Sequence, residues 1–151
     1  MYRGAVVVGG FYNNATSSAN YGFLGGGSSN GIQGYSSVVV GGHLNTADAT
    51  YASIGGGHRN HALGYASVIA SGAGNNVSAR FGVISGGHGN SVAGDGSTVS
   101  GGIENAATNN GSVVCGGRSN SALSDGATVV GGDLNTAAGE DSVVVGGSTN
   151  R

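Results

Sequence analysis

Side chains able to do chemistry are few in this chain. Four His, one Cys and seven Asp or Glu stand among 151 residues, beside five Arg and no Lys. His43 and His58 lie fifteen residues apart, but His61 falls outside that spacing. A metal centre normally needs three or four converging ligands with a supporting shell. Two histidines do not supply one, so neither a metal nor another cofactor is expected. A nucleophilic Cys needs a base and an orienting acid. Cys115 occupies a place in a repeating pattern held elsewhere by Val40, Ser85, Ser100, Val130 and Val145, which reads as a small packing residue. Adjacent carboxylates occur at Glu140-Asp141. The Gly-rich segments contain no G-x-x-x-x-G-K-[ST], so they are not phosphate loops. The chain reads as a non-enzyme.

The elements holding these residues follow from a repeat, which is sought first because missing it misassigns the fold. Asn stands at Asn30, Asn45, Asn60, Asn75, Asn90, Asn105, Asn120, Asn135 and Asn150, always fifteen residues apart. Asn13 precedes the series by seventeen, which places a two-residue insertion in that coil. Six residues before each Asn is an aliphatic side chain: Leu24, Val39, Ile54, Ile69, Ile84, Val99, Val114, Val129 and Val144. Eight before is Gly, Ala or Ser, and two after is Ala, Val or Ile. Four and three before are Gly-Gly, except at Ser71-Gly72.

A β-branched run such as Ser142-Val143-Val144-Val145, closed by Gly-Gly, is a short strand ending at a corner. Gly-Gly and Asn both suit the left-handed backbone of that corner. Asn-x-Ala is then a second strand, and the frequent Gly four after Asn (Gly34, Gly64, Gly94, Gly139) turns the chain again. The spacing predicts an all-β, parallel β-solenoid of about ten 15-residue coils, a single repeat domain over residues 1–151. Its Asn side chains form a ladder, amide to amide along the axis. The aliphatic set fills the coil core.

Alternation along the first strand turns the residue seven before Asn outward. That column includes Val38, Val68, Val83, Val113 and Val143. A strand apolar on both faces is normally covered on both. Burying each Val is worth roughly 1.5–3 kcal/mol. No second domain exists to cover the column, so another copy of the chain is the expected partner. A corner five to six residues after Asn carries Tyr35, Tyr51, Tyr65 and Phe81, then Asp95, Asp125, Glu140 and Asp141. These aromatics, with His43 and His58, are candidate surface contacts for a glycan or a protein. Cover for neighbouring coils or subunits is the alternative role of the aromatics.

Composition narrows the remaining classes. Gly contributes 34 residues and Pro none, which disfavours a helical domain and removes collagen. Net charge is −2, so no phosphate attraction draws in nucleic acid. The longest apolar runs are four residues, such as Ala5 to Val8, so no membrane insertion is expected. Residues 1–90 carry three Arg against one Asp, and residues 91–151 two Arg against six acids.

Segments such as Ser112-Val113-Val114-Cys115-Gly116 and Ser142-Val143-Val144-Val145-Gly146, with the Asn-x-Ala-x-Gly that recurs after them, resemble the YadA-like head repeat of trimeric autotransporter adhesins, also found in phage tail fibres and spikes. The period here is 15 rather than that family's 14, with a second Gly and with Asn replacing Ser. The resemblance implies a left-handed β-roll assembled as a homotrimer. It also implies an extracellular place on a virion or bacterial surface and a structural or adhesive role. A self-assembling extracellular filament or lattice subunit, stacked end to end, is the second expectation, since neither end carries a cap against edge pairing.

Overall fold

The computed structural model describes residues 4–151. Its strands are two residues long, which is what a β-branched pair bounded by glycine turns can form. Odd-numbered strands, from β1 (Val6–Val7) through β9 (Val68–Ile69) to β19 (Val143–Val144), stack into one ten-stranded sheet. Even-numbered strands, from β2 (Asn14–Ala15) through β10 (Asn76–Val77) to β18 (Thr136–Ala137), form a nine-stranded sheet. Every pairing is parallel and, after the first coil, advances by fifteen residues, as in Val68↔Val83 and Asn76↔Ser91. The chain is a parallel β-solenoid of about nine full turns, with a tenth strand completing the first sheet.

The first coil runs seventeen residues ahead of the second, with Val6↔Phe23 and Ala15↔Ile32. Phe23↔Val38 already restores fifteen. The two extra residues therefore lie between Ala15 and Phe23, at the corner leading from the second sheet back to the first.

A third side, absent from the two-strand reading of the sequence, closes each coil. Residues two before Asn form a column of parallel bridges: Ser28↔His43↔His58↔Ala73↔His88↔Ile103↔Arg118↔Asp133↔Ser148. Each is a single residue caught between two left-handed ones, such as Gly42 (φ 94°) and Leu44 (φ 59°) around His43. One residue is too short to read as a strand from pattern.

The left-handed residues correct the corner assignments. The Asn residues do not take positive φ; the residue before each does, including Leu44, Glu104, Leu134 and Thr149. Of the Gly pair, only the second is left-handed in every coil. A Cβ on Gly57 would strike the Gly72 carbonyl of the next coil and approach Asn60 Nδ2 within 2.8 Å, whereas around Gly56 the nearest atom lies 4.0 Å away. Ser71 stands at the permissive place and Gly72 at the obligatory one. Gly34 and Gly64 are conserved in pattern for closeness instead: a Cβ there would meet the carbonyls of Ala49 and Ala79. The left-handed residue of that corner is the one nine before Asn, such as Tyr51 (φ 60°).

The core is a thin column. Leu24, Val39, Ile54, Ile69, Ile84, Val99, Val114 and Val129 are fully buried, as are Ile32, Ala47, Ala62, Val77 and Val92 from the second sheet. Val144, in the last coil, is only partly buried because no coil covers it. Each buried Val or Ile contributes roughly 1.5–3 kcal/mol, and the largest fully buried side chains are Leu24 and the Ile residues.

Asn30 through Asn135 are buried, and Asn150 is exposed at the end. The rungs differ from the expected amide-to-amide chain. Each ladder Asn accepts at Oδ1 from the backbone N–H of the next, as Asn45 does from Asn60 at 3.0 Å. Its Nδ2 donates to the carbonyl four residues back and to a Gly carbonyl one coil on, 3.0 Å and 2.8 Å for Asn60 to Gly56 and Gly72. Direct amide-to-amide bonds occur only at Asn45–Asn60, Asn60–Asn75, Asn120–Asn135 and Asn135–Asn150. Buried corner N–H and C=O groups must be paired, and one carboxamide per coil pairs three of them.

Candidate interaction surfaces

The inward-facing side chains are buried, so the residues open to a partner are those of the outer faces. Along the first sheet two columns point outward, seven and five before Asn, flanking the buried aliphatic residue. The first contains Phe23, Val38, Ser53, Val68, Val83, Thr98, Val113, Thr128 and Val143; the second contains Val40, Ala70, Ser85, Ser100, Cys115, Val130 and Val145. Neither column holds a charged residue. Val38, Val83 and Val113 are half-buried, and Val68 and Val143 are exposed. Val40, Val130 and Val145 are exposed beside them, as is the free thiol of Cys115.

Charge collects elsewhere. Arg118 and Asp133 neighbour each other on the third side, where Nε donates to Oδ1 at 2.7 Å and Nη2 to Oδ2 at 3.0 Å. This hydrogen-bonded pairing holds the Asp133 carboxyl below its ordinary value and raises the Arg118 guanidinium. Arg59 and Glu104 flank the same side, while Asp48 sits just past the second sheet. His43 and His58 stack on the third side with ring centroids 5.2 Å apart and planes 24° from parallel. Among the described residues, no three His, Cys, Asp or Glu gather as a metal site.

The corner between the second sheet and the first carries a continuous run of rings. Tyr21, Tyr35, Tyr51, Tyr65 and Phe81 succeed one another with centroids 5.4, 6.0, 5.6 and 5.6 Å apart, each edge-on to the next at 80–89°. Edge-to-face contact suits the aromatic quadrupole. Past Phe81 the same corner turns polar. Asp95 Oδ1 accepts the Arg80 N–H at 2.9 Å, Asn110 Oδ1 that of Asp95 at 3.3 Å, and Asp125 Oδ1 that of Asn110 at 3.1 Å.

The rings alternate strictly between the two places of this corner, and the run begins at Tyr21, which the sequence reading did not include. Tyr21, Tyr51 and Phe81 are nine before their Asn and sit in the left-handed place (φ 59°, 60°, 58°). Tyr35 and Tyr65 are ten before, with Ser36 and Ala66 left-handed behind them. The signal is a two-coil alternation, Ala19, Gly34, Ala49, Gly64, Ala79 and Gly94, one residue ahead of each corner pair. Where Gly brings the backbone close to the next coil, the ring comes first; where Ala stands, it comes second.

No helix among the described residues is long and apolar enough to cross a membrane. No protein-family model matches the chain, and no curated protein is significantly similar to it.

Proposed function

We propose that the protein is a non-enzymatic, rigid β-solenoid module that assembles with copies of itself, as a homotrimer, and presents its corners to a cell-surface glycan or protein from the outside of a virion or bacterial cell. The observation carrying this reading is the charge-free, Val-rich outer face of the first sheet. Parallel sheets are ordinarily covered on both faces, and a Val-rich face of this length without one charge shares the charge depletion of an interface core. Identical coils make the face self-complementary in repeat, which suits a copy of the same chain. The resemblance of the Ser-Val-Val-x-Gly segments to YadA-like heads supports three copies and a surface setting. Multivalent display then multiplies weak corner contacts.

Cys115 supplies the test, because it lies on that face and is the sole thiol. In the native assembly a maleimide should label Cys115 at least about tenfold more slowly than in urea-unfolded protein. Labelling as fast as in the unfolded chain would remove the covered-face reading.

A further inference from the structure

We infer that the ring ladder is a binding track for an uncharged, extended β-linked polysaccharide lying parallel to the solenoid axis, with Tyr21, Tyr51 and Phe81 as its platforms. This rests on the surface-contact reading above and narrows it to one ligand chemistry.

Three observations converge. Tyr21, Tyr51 and Phe81 are 50%, 48% and 51% exposed, against 39% for Tyr35 and 42% for Tyr65. Large rings left half in water along one line are an interaction feature rather than scattered surface residues. The more exposed rings recur every second coil, a step of about 9.6 Å at roughly 4.8 Å per coil. That is comparable to one disaccharide of a β-1,4-linked chain, in which alternate sugars turn over so that every second ring presents the same face. The apolar C–H face of a pyranose packs on an aromatic ring, and Tyr hydroxyls can bond sugar hydroxyls. The less exposed Tyr35 and Tyr65 stand edge-on between platforms and fix their orientation.

Charge sets the class and the length. In the connections from the second sheet to the first between Ala19 and Ser67 the single charged side chain is Asp48, half-buried where the chain leaves the second sheet, and Arg80 lies over Phe81 with its guanidinium carbon 5.6 Å from the ring centre. Beyond it the corner becomes acidic at Asp95, Asp125, Glu140 and Asp141. An anionic polymer following the track would run into like charge. Four coil steps from Tyr21 to Phe81 span about 19 Å, room for roughly two disaccharides.

The protein has no Trp, and four of its six Tyr lie on the track, so tyrosine emission follows binding there with calorimetry as the independent measure. Cellohexaose and chitohexaose should bind saturably, and α-linked maltohexaose and an oligogalacturonate at least about tenfold more weakly. Combined Tyr21→Ala and Tyr51→Ala should weaken the β-linked probes at least about tenfold, Tyr35→Ala less than about threefold, and Tyr51→Phe less than about twofold. Circular dichroism and light scattering on each variant separate a lost track from a lost fold or assembly. The proposal is overturned if neither β-linked hexasaccharide binds the wild-type assembly, as for a corner that contacts protein or only stiffens the coil. Binding that survives the double substitution, or falls equally with Tyr35→Ala, also overturns it. A trimer that ignores both sugars would leave the self-assembly reading standing and remove this one.

Discussion

Asn60 Oδ1 accepts two hydrogen bonds from Asn75, one from its backbone N–H at 3.1 Å and one from its side-chain amide at 3.1 Å. The Asn60 amide meanwhile holds the Gly56 and Gly72 carbonyls. Truncating it strands buried polar groups in two coils, each costing about 1–3 kcal/mol when left unpaired. Asn60→Ala should therefore destabilise the protein by about 3 kcal/mol or more in urea unfolding. Asn150→Ala, at an exposed end, should cost under about 1 kcal/mol. Equal effects at both positions would show that the ladder is not what joins the coils.

The Gly pair should divide sharply. Gly57→Ala requires a Cβ at φ 99° against the Gly72 backbone, which cannot yield without moving the next coil. The expected loss is about 3 kcal/mol or more, against at most about 0.5 kcal/mol for Gly56→Ala, whose added carbon makes only an ordinary contact, 4.0 Å from the Gly41 carbonyl. Thermal unfolding of the two variants side by side checks this.

Neighbouring residues on one strand should behave oppositely. Ile69 is fully buried and Val68 is 38% exposed. Ile69→Ala should cost about 2–5 kcal/mol as a core cavity. Val68→Asp should leave the coil folded but weaken self-association, because it places a desolvated charge between copies. Circular dichroism and sedimentation distinguish the two effects.

Acid should reveal the Arg118–Asp133 pair. Its hydrogen bonds lower the Asp133 value in the folded state, so the stabilisation is complete above the ordinary Asp value of about 3.9 and is lost as pH falls through the lowered one. The small stability gap between wild type and Asp133→Asn should stay constant from neutral pH to about pH 5 and close below about pH 4. A gap that widens in acid would contradict the pairing.

Much of the fold was legible because the repeat is strict. Asn30 to Asn150 set the register, and the aliphatic residues six before each Asn mark the inward face. Ser71-Gly72 even shows which glycine is obligatory. What escaped was chemistry that a consensus averages away. The third side is a single residue between two left-handed ones, and Leu44, Glu104, Leu134 and Thr149 give no composition signal for that backbone. The ladder's use of backbone N–H groups depends on which corner donors lack partners, a three-dimensional question. The alternation of Tyr21, Tyr35, Tyr51, Tyr65 and Phe81 between two registers has a thirty-residue period, hidden inside the fifteen-residue one.

The proposed assembly stands or falls on the outer Val column. Light scattering coupled to size exclusion on the wild-type chain, compared with a Val68→Asp and Val83→Asp double variant, addresses it directly. The expected result is three copies for the wild type and folded single chains for the variant. A wild-type chain that stays a single copy at every concentration, or polymers of no fixed size, would contradict it.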